Sequence, residues 1–133
     1  MEMTASSAGG NLSNINSYSD NANFYTKSEP NSWVKADLKG YKLKPKSYIL
    51  RSSYGFSCSL LRRWMLEGIK EDGTSIVLDN QYYEFQLNEI KEFPLQTNDY
   101  FVAFKITQTG KDSKNRDYLS ITVFDFKGEL IKF

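Results

Sequence analysis

From Ser32 onward, apolar and polar side chains alternate with a period close to two, and that alternation limits what the chain can build. In "SWVKADL", Val34, Ala36 and Leu38 share one face while Trp33, Lys35 and Asp37 share the other. "NDYFVAFKITQ" places Val102, Phe104 and Ile106 on one side, and "YLSITVFDF" sets Leu119, Ile121 and Val123 against Ser120, Thr122 and Phe124. "RWMLEGI" brings Trp64 and Leu66 together, "KSYILRSS" is a short β-prone run, and "GELIKF" predicts a last strand. Asp72-Gly73 offers the backbone freedom of a tight turn just before another short strand. Only "LNEIKEF" predicts helix, one turn or two, stopped by Pro94. Many short strands joined by polar links predict an all-β chain, an antiparallel sandwich or barrel.

A length of 133 residues suits one domain, 1–133, with a real core. The first 31 residues are rich in Ser and Asn, as in a disordered tail. They also carry Ile15, Tyr18, Phe24 and Tyr25, which equally fits a long ordered strand and loop. Lys plus Arg number 17 and Asp plus Glu 16, so a formal charge of +1 exerts no long-range pull on nucleic acid. No stretch approaches the ~18 apolar residues of a membrane span. "MEMTASSAGG" lacks the apolar core of a secretory signal, and a cytoplasmic location is expected.

The absence of histidine removes every Ser-His, Cys-His and His-metal mechanism. A single cysteine, Cys58, allows neither an internal disulfide nor a thiolate zinc cluster, and it reads as a passive small residue. There is no phosphate-cradling glycine loop and no nucleophile elbow. Glu67, Asp72, Asp79 and Glu84 show no spacing that selects a catalytic pair. The expectation is a protein that is not an enzyme.

Four fragments, "EPNSWVKADLKG", "YILRS", "RWMLEGIKEDG" and "ITQTGKDSKNRDYLSITVFDFKGEL", occur in the order seen in F5/8 type C (discoidin-like) domains. The resemblance covers almost the whole chain and is similar to an intracellular branch found in protist proteins, often beside a BTB domain. It implies a galactose-binding-like jelly-roll sandwich that binds a protein or a glycan through loops at one end. Three departures stand out. The disulfide of secreted members cannot form, Ile76 stands near a common tryptophan position, and "GKDSKNRDY" has no aromatic before Tyr118.

The resemblance implies that the loop before Trp33, the loop after Leu50 and the loop over residues 111–117 converge. Tyr18, Tyr25 and Glu29 are candidates in the first; rings there either stack on a ligand or, as Phe24 suits equally, pin the loop to the sandwich. In the second, Tyr54 and Phe56 bracket Gly55, while Arg51 and Arg62 can fork onto carboxylates or sugar hydroxyls. The opposing possibility is a loop folded over the core by Leu60 and Leu61, with its arginines solvated. In the third, Lys111, Asn115 and Arg116 are candidates among mixed charges that also suit a solvated link. Related modules sometimes hold calcium, for which Asp20, Asn21 and Asn23 offer oxygen atoms without the spacing of a strict calcium loop. An assembly role, packing on a neighbouring domain or a second copy, is the alternative to ligand recognition.

Overall fold

The structure, a computed structural model, describes residues 1–18, 23–53 and 59–133. Eight strands follow one another: β1 (Glu2–Ala5), β2 (Trp33–Asp37), β3 (Tyr41–Arg51), β4 (Arg63–Ile69), β5 (Ser75–Tyr82), β6 (Ile90–Pro94), β7 (Ala103–Gln108) and β8 (Val123–Lys132). They form a five-stranded sheet ordered β1-β2-β7-β4-β5 and a three-stranded sheet ordered β6-β3-β8. Every pairing is antiparallel. Among the described residues the only helical piece is a 3-10 turn, Leu12–Asn14, in which the Asn11 side chain accepts from Ser13 N–H at 3.0 Å.

The two-residue period does what burial requires. Val34 and Ala36 of β2, Trp64 and Leu66 of β4, and Phe104 and Ile106 of β7 all point into the space between the sheets and are buried. Tyr48 and Leu50 of β3 answer them from the smaller sheet. The rings lock together: Phe104 stacks on Phe126 at 4.2 Å, and Tyr48 stacks on Phe93 at 5.1 Å. The buried polar tips of the two large rings are satisfied in series. Trp64 Nε1 donates to the Tyr48 hydroxyl at 3.0 Å, and that hydroxyl donates to Asp79 Oδ2 at 2.7 Å. Burial and this carboxylate push the Tyr48 phenol far up from its usual range.

Three local expectations are corrected. "LNEIKEF" forms no helix: Ile90–Pro94 is a strand in which Phe93 is buried, and it lies at a sheet edge, where proline's missing N–H costs nothing. In "YLSITVFDF" both alternate sets are buried, and the strand starts only at Val123. Residues 119–122 instead run under the N-terminal segment, with Thr26 N–H donating to Leu119 O and Ile121 N–H to Phe24 O. "GELIKF" is the second half of β8 and no separate strand.

The described residues of the Ser/Asn-rich N-terminal segment pack against the sandwich. Phe24 is fully buried and Ile15 nearly so, which fixes the segment to the sandwich. Asn16 completes the attachment: its carboxamide accepts from Phe124 N–H at 2.7 Å and donates to Phe124 O at 2.8 Å.

Candidate functional site

β2 starts, β3 ends, β4 starts, β7 ends and β8 starts at the same end of the sandwich, as the pairs Trp33↔Thr107, Trp64↔Gln108 and Arg51↔Val123 require. The long connections therefore gather there. They are tied to one another by Ser113 N–H to Leu60 O, Asp117 N–H to Ser28 Oγ, and a 2.6 Å contact between the Ser53 and Ser120 hydroxyls.

The loop over residues 111–117 is built on Asp112. Its carboxylate is buried, and Oδ1 accepts the N–H groups of Lys114 and Arg116, both at 2.9 Å. This Asx geometry reverses the chain, with Asn115 exposed at the tip and in the left-handed region at φ 59°. It aims Arg116 back over the molecule. The Arg116 guanidinium lies 4.9 Å from the centre of the Tyr118 ring and donates through Nη2 to Ser59 Oγ. Tyr118 meets Tyr25 edge to face at 6.1 Å. Tyr25 itself is 40% exposed and lies against Gly9, where any Cβ would strike its ring. Beside this group Lys111 Nζ pairs with Asp117 at 2.6 Å, and Glu29 is exposed one residue from Ser28.

The structure thus joins Tyr25, Lys111 and Arg116 on one surface, with Asn115 and Glu29 at its margin. The other predicted residues stand around it. Tyr18, 47% exposed, donates its hydroxyl to Asp125 at 3.0 Å; its phenol is pushed up by partial burial and by that bond. Arg51 is buried, with Nε donating to Thr122 Oγ1 at 2.7 Å. Arg62 sits on the β4–β5 side, with Nη1 3.3 Å from Glu84. Asn23 has Oδ1 accepting from Ser53 at 3.2 Å and its carbonyl accepting from Asn14 at 2.9 Å. Tyr54, Phe56, Asp20 and Asn21, together with Cys58, lie outside the described residues. No group of three His, Cys, Asp or Glu side chains suited to a metal ion occurs among the described residues.

Three contributors were not singled out from sequence: Ser59, Tyr118 as a stacking partner, and Gln108. The last left a signal, because it continues the inward face of Phe104 and Ile106 as a polar residue. Gln108 is buried with both side-chain polar atoms unpartnered. Arg62 Nε, Asp112 Oδ2 and Arg116 Nε are also buried without partners. Every such atom among the described residues belongs to this end, which therefore holds polar capacity beyond what folding consumes.

No protein-family model matches the sequence. The chain is 30% identical over 117 residues to the E3 ubiquitin-protein ligase Ufd4 of Drosophila melanogaster. That match takes in 82% of the chain but only 4% of the ligase, so the chain spans a small part of the relative's length. Among solved structures, it resembles the family 32 carbohydrate-binding module of C. perfringens NanJ in complex with galactose. The TM-score is 0.80 at 16% identity, over 94% of this chain and 91% of that one. A second family 32 module from Clostridium perfringens, in complex with GalNAc-β-1,3-galactose, gives 0.78 at 11%, over 94% and 93%. The lectin domain of lectinolysin, complexed with Lewis B antigen, gives 0.75 at 13%, over 96% and 92%. The chain thus shares the β-sandwich fold of these carbohydrate-binding and lectin modules. Among the described residues no helix is long and apolar enough to cross a membrane.

Proposed function

We propose that the domain is a non-catalytic recognition module and that its loop-bearing end binds a carbohydrate. The observation that carries this reading is the Tyr25–Tyr118–Arg116 group. A half-exposed ring offers an apolar face to sugar C–H groups at little cost in conformational entropy. A guanidinium next to it offers a planar fork to hydroxyl oxygens. Lys111 and Glu29 add a donor and an acceptor at the margin. The solved relatives named above, in complex with galactose, GalNAc-β-1,3-galactose and Lewis B antigen, support the ligand class.

A second reading, an extended protein segment as ligand of the same loops, is favoured by the 30% identity with a ubiquitin-protein ligase. Sequence likeness to the sugar-complexed modules is lower, at 16% and 11%.

A glycan array probed with the domain and with Tyr25→Ala separates these readings. Carbohydrate recognition requires retained glycans whose signal Tyr25→Ala abolishes, with a melting temperature within about 2 °C of the parent. An empty array, with Tyr25→Ala instead releasing proteins captured from lysate, favours the protein ligand. Glycan binding indifferent to Tyr25→Ala moves the site elsewhere.

A further inference from the structure

At the end away from these loops, β3 and β8 continue together as a ribbon, and β8 forms the open edge of its sheet. The upper part of that edge is closed. Asn16 takes the N–H and carbonyl of Phe124, and Asp125 Oδ1 takes Phe126 N–H at 2.9 Å. Those bonds show that even-numbered residues of β8 turn their backbone groups away from β3. Phe133 N–H, donating to Gly40 O at 3.0 Å, shows the odd-numbered ones turning toward it. Gly128, Leu130 and Lys132 therefore present N–H and C=O groups along an edge beyond which no described strand lies.

The two faces of this edge differ chemically. On the inner face, a groove of about 610 Å³ is lined mainly by Leu38, Tyr41, Leu43, Phe126 and Leu130, the last 57% exposed. The outer face carries Lys42, Lys44 and Lys127. Lys44 is paired with Glu129 and Lys127 with Glu92, whereas Lys42 lies over the Tyr100 and Phe133 rings and in no ion pair with a described residue. The lower halves of β3 and β8 hold Lys42, Lys44, Lys46, Lys127 and Lys132 against Glu129 alone, in a chain whose net charge is only +1.

We propose that this edge docks an extended partner segment in which acidic and apolar residues alternate, added as a further strand on β8. Main-chain bonds to Gly128, Leu130 and Lys132 would hold it. Strand periodicity then sends its apolar side chains into the groove and its carboxylates toward Lys42 and Lys127. A second copy of the chain fits poorly, because pairing β8 with itself brings two sets of lysines together.

Fluorescence anisotropy with a fluorescein-labelled decapeptide alternating Glu and Val tests this on the intact chain. Binding should weaken at least about tenfold when alternate peptide amides are N-methylated, because strand addition needs those donors. Lys42→Glu with Lys127→Glu should release the Glu/Val peptide and take up a Lys/Val peptide. Hydrogen exchange at Leu130 and Lys132 should slow on binding. Absence of binding, equal binding of the N-methylated peptide, or sedimentation showing that two chains pair through β8 would overturn the proposal.

Discussion

Asn16 does with one carboxamide what a ninth strand would do, covering the Phe124 N–H and carbonyl while itself held at φ 64°. Asn is among the few side chains that tolerate that conformation, so the residue is chosen twice, for backbone and for partner. Asn16→Ala should cost about 1–3 kcal/mol, because the Phe124 backbone groups are left unmet. A urea midpoint unchanged from the parent contradicts this. Three surface glutamates contribute to the pH response, together with Asp72, which the Thr74 N–H holds below its ordinary range. The Tyr83 hydroxyl holds Glu89 below the ordinary range, Ser47 does the same for Glu92, and Tyr100 for Glu129. A lowered pKa in the folded state means that the unfolded chain binds protons first. The stabilisation is thus complete above the ordinary glutamate value of 4.5 and is lost as pH falls through the lowered folded values. Thermal melts from pH 7 down to pH 3 should show a flat region and then a decline starting near the ordinary glutamate value. A melting temperature that rises on acidification would contradict it.

Among the elements, β4 is tightly constrained at Gly68, which lies under the Phe101 ring. A Cβ at Gly68 would stand 2.6 Å from Phe101 Cδ1, and the ring is fully buried. Gly68→Ala should therefore destabilise the domain by about 1–3 kcal/mol through overpacking. Equal denaturant midpoints for variant and parent would show that the ring moves freely. Strands with one face on the core, such as β2, β4 and β7, were legible from the sequence because burial imposes the two-residue period. β6 was not legible: only Phe93 is buried in it, and isolated apolar residues at Leu87, Ile90 and Phe93 imitate helical spacing. Residues 119–122 misled for the opposite reason, since the N-terminal segment covers their outer side and both alternate sets are buried. The N-terminal segment's order rests on contacts across about a hundred residues, which no local pattern encodes. The same limit applies to the site. Lys111, Asn115 and Arg116 could be named as candidates, but only the fold brings Tyr25 and Ser59 to Arg116.

At the scale of the whole molecule, the two ends of the sandwich carry different chemistry. Sheets with a continuous aromatic core hold the positions of loops whose own residues are free to differ, which is how such scaffolds separate stability from recognition. One end gathers the Tyr25–Tyr118–Arg116 group and every buried side-chain nitrogen or oxygen without a partner among the described residues, while the other carries the basic ribbon of β3 and β8. The central claim, that the loop-bearing end is the binding surface, is tested most directly by mapping amide chemical shifts during titration with the strongest glycan from the array. The account predicts that Tyr25, Ser28, Lys111, Arg116 and Tyr118 move and saturate together, while Gly40, Gly73 and Asn98 stay in place. Shifts centred on those last three residues, with the loop amides unmoved, would contradict it.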